Sequence, residues 1–439
     1  MAQDRVTARG RRLAWLDALR GIAALCVVYA HFGTRVLPAV HRAVYNVFDP
    51  GLYGVLVFFL VSGYIVPASL ERKGSVRSFW LGRLFRLFPL FVFAIGAVLL
   101  LHEFGWASVR QTSQNVTASV FSHLFMLNEL LGQTNVIVVL WTLSYEMIFY
   151  VLLTALFTAG LHRRSGWHAD AFAVGALLLG GLLPTVWISF SSLGVTPVAL
   201  AGDVLIMGGV AVAVVGRGMP RAVGAWVAAA TGLLLVAVNG RKSPYEGLTI
   251  LFTGTMLYRA EQGQAGRWRV MVVAIGIFAA AMIAGAWHIP GTVPQDQTAL
   301  MQREWVMTVA LAGLTFAIGM ALRNLRMPAV LAWLGLVSYS LYLLHPLFLD
   351  AYDNLPFAPG DRQPAWLQVG ATAVFFAVLL VGCAGTYYLL EAPMQRLGRR
   401  VAARLDARFG PDRQKTPGAP VSAQQQAGGQ LQVIAYVVR

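Results

Sequence analysis

The chain has 439 residues, of which 57% are hydrophobic and only 12% are charged, and its mean hydropathy is +0.64. Apolar runs of about 20 residues recur along it, which is the length a helix needs to cross a bilayer. This pattern excludes a soluble protein, and the formal charge of +15 has to be interpreted from where the Lys and Arg residues lie.

The first apolar stretch, from Leu13 to Gly33, carries three ionisable residues, Asp17, Arg20 and His31. At about 100° per residue, the three side chains share one face of a helix. An ionisable group at mid-bilayer costs about 2.5 to 3.5 kcal/mol, so this face should point into the protein or a wet cavity and find partners there. We expect Asp17 and Arg20 to form a structural ion pair at the inner end of that cavity.

Further apolar segments predict an all-α, polytopic bundle of about 10 to 12 transmembrane helices. The predicted spans are 13–34, 52–70, 84–101, 143–161, 170–189, 198–216, 222–239, 246–260, 269–287, 305–323, 329–349 and 366–390. The pair between 222 and 260 can instead be a re-entrant hairpin, which leaves ten spans. The stretch 102–142 is expected outside the membrane, with an interfacial helix over 116–131.

Basic residues segregate to one side of these spans. With a cytoplasmic N-terminus, only seven Lys and Arg residues fall on the outer side: Arg35, Arg42, Arg110, Arg241, Lys242, Arg303 and Arg362. This positive-inside pattern places both termini in the cytoplasm and ascribes the charge to topology and membrane lipid, not to nucleic acid. It predicts a basic N-terminus (1–12), a membrane domain (13–395) and a basic, largely disordered tail (396–439).

The two cysteines, Cys26 and Cys383, both lie in apolar spans. They form no CxxC motif, so the sequence predicts neither a disulfide framework nor a metal site, and no permanently bound cofactor.

Two later segments also place polar residues in apolar helices. WTLSYE, Trp141 to Glu146, opens the fourth span, where a carboxylate near a helix N-terminus also has a purely structural explanation. In SYSLYLLHP, the residues Ser338, Tyr342 and His345 fall on one helical face, although His345 could simply cap a helix before the following proline.

The predicted depths suggest that some of these residues meet. His31 lies about 27 Å along its helix, near the outer boundary of a hydrocarbon core of about 30 Å. The predicted topology places Glu146 and His345 near the same boundary. The sequence therefore favours an acid/base cluster of two histidines and a carboxylate, while convergence by chance stays open.

The cytoplasmic segment 71–89 carries Arg83 and Arg86 three residues apart at the inner mouth of the third span. Positive-inside anchoring explains them, and so does a guanidinium fork for a phosphorylated cytosolic ligand. The preceding segment FFLVSGY contains a pair of small residues, Ser62 and Gly63. Ser62 has no base beside it in sequence, so close helix packing is the simpler explanation of the pair.

Six segments resemble, in order and spacing, the acyltransferase 3 family of integral membrane acyltransferases. They are LDALRGIAALCVVYAH (16–31), FFLVSGY (58–64), RLFRLFP (83–89), WTLSYE (141–146), SYSLYLLHP (338–346) and EAP, which begins at Glu391. The resemblance implies transfer of an acyl group, usually acetyl, from cytosolic acyl-CoA to a hydroxyl of a saccharide, envelope glycan or macrolide-type product. It further implies a catalytic role for His31 and binding of the acyl-CoA phosphates by Arg83 and Arg86.

We therefore expect a multi-pass protein of the bacterial inner membrane in which His31 deprotonates the acceptor, with Glu146 orienting it or His345 sharing the proton. Direct transfer and relay through an acyl-histidine both stay open, as does the oligomeric state. A transporter or flippase of a lipid-linked sugar or hydrophobic product is the alternative, because buried His, Glu and Arg also serve proton coupling. A non-catalytic sensor or scaffold is a third possibility.

Overall fold

The computed structural model describes residues 2–107, 116–162, 195–239, 244–288, 294–355 and 363–410, with a few isolated positions between 167 and 171. Within these ranges it describes the side chains from residue 14 onward, except at 195, 196, 198, 199, 237–239, 244–246, 284, 285, 287, 288 and 295. Within these ranges the secondary structure is helical, without strands. The helices are α1 (Ala2–Val36), α2 (Pro38–Tyr45), α3 (Pro50–Lys73), α4 (Val76–Glu103), α5 (Val116–Leu124), α6 (Trp141–Thr158), α7 (Val195–Val215), α8 (Gly218–Asn239), α9 (Pro244–Glu261), α10 (Arg267–His288), α11 (Gln295–Ala321), α12 (Ala329–Leu336), α13 (Ser338–Asp353), α14 (Ala365–Thr386) and α15 (Ala392–Phe409).

Every predicted span that falls on described residues contains a helix, whereas the span 170–189 lies almost wholly outside them. In the described ranges, seven helices are long and apolar enough to cross a membrane, or eight if α12 and α13, which meet at a bend of 67°, form one broken span. The region 222–260 forms two helices, α8 and α9. Residues 396–409, which we assigned to the tail, belong to α15, and the remainder from 411 lies outside the described residues.

Helix α1, which carries Asp17, Arg20 and His31, packs against α3, α12 and α13. Glycines permit this close packing: a Cβ at Gly21 would lie 2.6 Å from the Cβ of Leu334, and one at Gly335 would collide with the backbone of Asp17. The polar face of α1 is therefore turned towards α12 and α13, as its sequence predicts.

Helices α3 and α9 approach each other just as closely. A Cβ at Gly63 would collide with the carbonyl oxygen of Leu251, and one at Gly254 would collide with the carbonyl oxygen of Leu60. The packing explanation of the FFLVSGY segment is correct for Gly63, and it leaves the neighbouring Ser62 on a different side of α3.

One end of the bundle gathers basic side chains, and we call it the basic end; it comprises the C-terminus of α3, the N-terminus of α4, the C-terminus of α9 and α15. Arg259 of α9 donates a hydrogen bond of 2.7 Å to Glu71 of α3. Arg77 of α4, almost fully buried, donates one of 3.0 Å to Asp406 of α15. These contacts show that the four helix ends lie on the same side.

A π-helical turn over Tyr387–Glu391 joins α14 to α15. Its last residue, Glu391, is 2% exposed and accepts a hydrogen bond from Ser340 of α13, whose hydroxyl in turn accepts one of 3.0 Å from Thr386. π-Helical turns recur where a helix must redirect a side chain. Here the turn brings the carboxylate of Glu391 inward, where its hydrogen bond with Ser340 connects the start of α15 to α13.

Candidate active site

A polar cavity lies between α1, α3, α4, α6 and α13. Its walls combine aromatic and aliphatic side chains with charged and hydroxyl groups: Arg20, Val55, Phe58, Phe59, Ser62, Ile65, Val66, Arg83, Arg86, Leu87, Thr142, Leu143, Glu146, Tyr150, Ser338, Tyr339 and Tyr342. Seven of the residues singled out in the sequence thus line one cavity. They come from five helices, so no single motif reveals that they meet.

Glu146 of α6 is held in this cavity by two hydroxyl groups. Its Oε1 accepts a hydrogen bond of 3.1 Å from Ser62 and one of 2.5 Å from Tyr150, which lies one turn further along α6. Hydrogen bonds to a charged carboxylate are stronger than neutral ones. The carboxylate is therefore fixed in orientation, which a residue serving only the helix dipole would not require.

Arg83 and Arg86 line the end of the cavity at which α4 begins. The guanidinium carbon of Arg83 lies 4.8 Å from the ring centroid of Tyr150 and 5.5 Å from that of Phe79. A cation held over an aromatic face gains about 0.5 to 2 kcal/mol while its N–H groups stay available at the rim. Tyr150 consequently contacts both a basic group of the cavity mouth and the carboxylate of Glu146.

The predicted ion pair between Asp17 and Arg20 is not among the ion pairs of the described residues. The two charges interact only at longer range, and Arg20 also interacts electrostatically with Glu146 and Arg86. The reason is the packing of α12: its glycine rests against the backbone of Asp17, while Arg20 points into the cavity. The two side chains therefore share a face of α1 but do not form an ion pair.

The two histidines come together as predicted from their depth. The rings of His31 and His345 stack with centroids 5.2 Å apart and planes at 28°. His345 is fully buried; its Nδ1 lies 3.1 Å from the carbonyl oxygen of Leu341, and its Nε2 has no hydrogen-bond partner. The helix α13 continues through Pro346 to Asp353, so the capping explanation of His345 is wrong.

Tyr342 connects the histidine pair to the cavity. Its ring lines the cavity and lies 6.3 Å from the ring of His345. Its hydroxyl lies 2.9 Å from Oγ1 of Thr142 and donates a hydrogen bond of 3.1 Å to the carbonyl of Val139. The side chain is thus fixed at both ends, between the α6 start and the histidines.

Glu146 makes its hydrogen bonds with residues other than the histidines, so direct hydrogen bonds do not join the predicted cluster of two histidines and a carboxylate. Its recorded hydrogen bonds go to Ser62 and Tyr150, and the residue that contacts the Tyr342 hydroxyl is Thr142, one turn earlier on α6. The four-residue step from Thr142 to Glu146 corresponds to about 6 Å along the axis. Glu146 lies in the second turn of α6, which begins at Trp141 after a short 3₁₀ turn.

The remaining predicted residues have structural contacts. Trp141, half-buried, meets the ring of Tyr145 edge-on at 6.0 Å. Ser338 donates a hydrogen bond of 2.8 Å to the carbonyl of Gly335 at the bend between α12 and α13, and it borders the cavity. Within the described residues, no group of three or more His, Cys, Asp or Glu side chains is arranged to hold a metal ion.

Sequence reasoning missed Tyr150 and Thr142. Tyr150 lies four residues after Glu146 on the same helix, which is the spacing at which side chains meet. That spacing was available in the sequence. Thr142 could not be found that way, because its importance rests on contact with Tyr342, two hundred residues away in the chain.

These observations define the class of protein: an integral membrane protein with several apolar helices that enclose a buried polar site of cationic, carboxylate, hydroxyl and imidazole groups. Residues 13–390 match the sequence profile of the acyltransferase 3 family, described as an acyltransferase domain. The chain therefore belongs to this family.

Curated relatives agree with that assignment. Acyltransferase MdmB of Streptomyces mycarofaciens is 30% identical over 149 residues, which are 32% of this chain and 38% of MdmB. O-acetyltransferase OatA of Staphylococcus aureus is 28% identical over 167 residues, which are 35% of this chain and 26% of OatA. The matches span less than half the length of these relatives, and no solved structure matches the chain significantly.

Proposed function

We propose that this enzyme moves an acyl group, acetyl in the first instance, from acyl-CoA to a hydroxyl group of a saccharide, envelope glycan or glycosylated or macrolide-type product. The observation that carries the proposal is the cavity whose walls contain Arg83 and Arg86, Glu146 and Tyr342. The ring of Tyr342 lies 6.3 Å from that of His345, which belongs to the histidine pair. Phosphate-binding chemistry and acid/base chemistry thus adjoin one another.

The donor enters at the basic end in this proposal. Arg83 and Arg86 bind its phosphates, since a guanidinium offers a planar fork of donors to phosphate oxygens. The pantetheine arm then extends along the cavity past Glu146 towards Tyr342. The apolar walls, among them Val55, Phe58 and Leu143, suit this uncharged arm and exclude water from the thioester.

The chemical step is an acyl transfer between sulfur and oxygen. His31 takes the proton of the acceptor hydroxyl, whose oxygen attacks the thioester carbonyl carbon. The new carbon–oxygen bond forms, the carbon–sulfur bond breaks, and the thiolate of CoA leaves and takes up a proton to become the thiol. General-base catalysis of this kind contributes about 100-fold to 10,000-fold.

His345 is suited to share the proton with His31. Because a carbonyl oxygen only accepts hydrogen bonds, the contact with Leu341 puts the proton of the neutral ring on Nδ1 and leaves the lone pair of Nε2 without a partner. The adjoining stacked ring of His31 is partly exposed, so it is the member of the pair that an acceptor can reach. Glu146 acts in this proposal through the cavity and not by touching either histidine.

A relay through an acyl-histidine is the competing route. Single-turnover reaction with radiolabelled acetyl-CoA, quenched without acid, distinguishes the two. Direct transfer leaves no label on the protein, whereas a relay leaves label that disappears in His31→Ala or His345→Ala.

Localisation follows the same reasoning. We propose that the protein resides in a bacterial inner membrane with the basic end and both termini in the cytoplasm, since basic residues favour the cytoplasmic side. The relative OatA is an O-acetyltransferase by name, which supports a hydroxyl acceptor. Cysteine accessibility labelling at exposed positions Arg72 and Trp366 tests the orientation, and labelling of position 72 from outside intact cells overturns it.

The decisive experiment is binding of acetyl-CoA to purified protein in detergent. Wild type and His31→Ala are expected to bind, and the double variant Arg83→Ala/Arg86→Ala is expected to lose most of its affinity. Exposed Arg326→Ala serves as a control for the loss of a surface charge. If wild type binds no acyl-CoA, the donor assignment is wrong, and transport of a lipid-linked substrate becomes the better explanation of the buried polar groups.

A further inference from the structure

The basic end carries a second group of cations beside the two arginines of the cavity mouth. The charges that act on the ammonium group of Lys73 are all positive and belong to Arg83, Arg72, Arg399 and Arg86. Like charges brought together repel one another, and the repulsion is relieved when an anion binds among them. This grouping therefore favours the binding of an anion.

The local fold determines where the ammonium group of Lys73 lies. Lys73 is the last residue of α3, and Gly74 then adopts a left-handed conformation with φ of 61° that turns the chain into α4. The side chain of Lys73 folds back over α4, where its Nζ donates a hydrogen bond of 3.0 Å to the carbonyl of Ser78. A Cβ at Gly82 would lie 2.5 Å from this Nζ, so the missing side chain at residue 82 makes room for the ammonium.

The position of Arg399 depends on the docking of α15. A Cβ at Gly398 would lie 2.6 Å from the Cβ of Phe85, so α15 lies directly on the segment of α4 that carries Arg83 and Arg86. The buried Arg77 holds the same two helices together through Asp406. Arg399, exposed and next to the contact glycine, is thereby kept near Lys73.

The charge distribution of the donor matches two separate groups of cations. CoA carries a diphosphate, to which the pantetheine arm is attached, and a phosphate monoester on the 3′-hydroxyl of its ribose. A phosphate monoester holds about −1.5 to −2 charges at neutral pH, so it calls for cations of its own. Arg83 and Arg86 line the cavity that receives the arm, whereas Lys73 and Arg399 do not.

We infer that Lys73 and Arg399 form a subsite for the 3′-phosphate of the nucleotide part of CoA. The inference rests on the proposed function, in which acyl-CoA is the donor, and it adds what selects CoA over donors without that phosphate. Both side chains are exposed at the basic end, so a ligand arriving from that side can reach them. The 3′-phosphate then supplies the anion that the like charges favour.

The test compares CoA with 3′-dephospho-CoA, which keeps the diphosphate and the arm. Affinity of purified protein for each is measured by calorimetry in detergent. Wild type is expected to bind CoA at least about tenfold more tightly, because hydrogen bonds to a charged phosphate are stronger than neutral ones. Lys73→Ala and Arg399→Ala are expected to lower affinity for CoA and to leave affinity for 3′-dephospho-CoA unchanged.

Two matched controls separate the subsite from general charge. Arg400→Ala removes an exposed cation of α15 that is not among the charges acting on Lys73, and it is expected to change neither affinity. Gly82→Ala displaces the Lys73 ammonium without changing charge and is expected to reproduce the loss selective for CoA. Gly96→Ala, where a Cβ meets open space on the same helix, is expected to have no effect.

The outcomes are distinguishable from those of the proposed function. If wild type binds neither nucleotide, the donor assignment itself fails. If wild type binds both equally, or if Lys73→Ala weakens both to the same degree, the donor assignment stands and the 3′-phosphate subsite is wrong. Equal competition by phosphatidylglycerol vesicles against both nucleotides identifies the cluster as a lipid headgroup site and overturns the inference.

Discussion

The cavity and the histidine pair are both polar regions in an apolar bundle, yet they satisfy their polar groups differently. In the cavity, the Glu146 carboxylate accepts two hydrogen bonds, and the Arg83 guanidinium lies over the Tyr150 ring. In the histidine pair, Nε2 of His345 is buried without a partner. Buried polar atoms are nearly always hydrogen-bonded, so each described side-chain atom that is not, Nε2 of His345 among them, calls for an explanation.

The difference indicates a division of labour. A network in which each group is held by its neighbours keeps a fixed shape and suits the binding of a donor. A base with an unused lone pair can accept a proton without first losing a hydrogen bond. We propose that the cavity binds and positions the donor and that the histidines transfer the proton, and the predictions below test that division from the largest expected effect to the smallest.

Replacement of His31 should have the largest effect on turnover. His31→Ala is expected to lower kcat by about 100-fold to 10,000-fold, because it removes the general base, while the affinity for acetyl-CoA stays near that of wild type. The exposed His102→Ala is the matched control and should retain activity. Substantial activity in His31→Ala would mean that the histidine pair does not perform the proton transfer.

Glu146→Gln should weaken the binding of acyl-CoA more than it slows the chemical step. Glutamine keeps the shape and still accepts hydrogen bonds, but it leaves the charges of Arg20, Arg83 and Arg86 with less compensation. We expect a loss of about tenfold to 100-fold in kcat/KM, mainly through KM, since charged hydrogen bonds contribute about 1.5 to 3 kcal/mol. A loss confined to kcat and as large as that of His31→Ala would instead support the sequence prediction that Glu146 orients the base.

Tyr150→Phe separates the two contacts of one side chain. The variant keeps the aromatic ring over which the Arg83 guanidinium lies, and it loses the hydroxyl that donates a hydrogen bond to Glu146. The expected result is a decrease of about tenfold in kcat/KM with little change in thermal stability, measured by steady-state kinetics and a melting curve. If Tyr150→Leu, which also removes the ring, proves no worse than Tyr150→Phe, the contact with Arg83 has no part in binding.

Thr142→Val tests the contact between Thr142 and Tyr342, which is the weakest connection between the cavity and the histidine pair. It removes the hydroxyl next to Tyr342 and leaves the hydrogen bond from Tyr342 to Val139 in place. We expect a reduction of about two- to fivefold in kcat, since a neutral hydrogen bond contributes about 0.5 to 1.5 kcal/mol. Thr158→Val, which removes a hydroxyl bonded only within α6 near its end, is the control. Equal effects of the two variants would assign Thr142 to helix stability alone.

The helical content and much of the site were open to prediction because their signals are local. An apolar run of about 20 residues indicates a spanning helix whatever its neighbours are. The spacing of Asp17, Arg20 and His31, and of Ser338, Tyr342 and His345, fixes which residues share a face of a helix. Those patterns, together with depth along α1, favoured a position of the two histidines near each other before any tertiary contact was known.

The sequence by itself determined an all-helical membrane protein and the polar faces of its helices, and it favoured a position of His31 near His345 that the structure then showed. Only the tertiary structure decided that Asp17 and Arg20 separate, that Glu146 joins Ser62 and Tyr150 instead of the histidines, and that α15 brings Arg399 to Lys73. Spacing along one helix is fixed by backbone geometry, but the rotation and depth of one helix against another depend on packing between distant segments. In this protein, that packing depends on close contacts at glycines such as Gly335 and Gly398, whose partners the local sequence does not name.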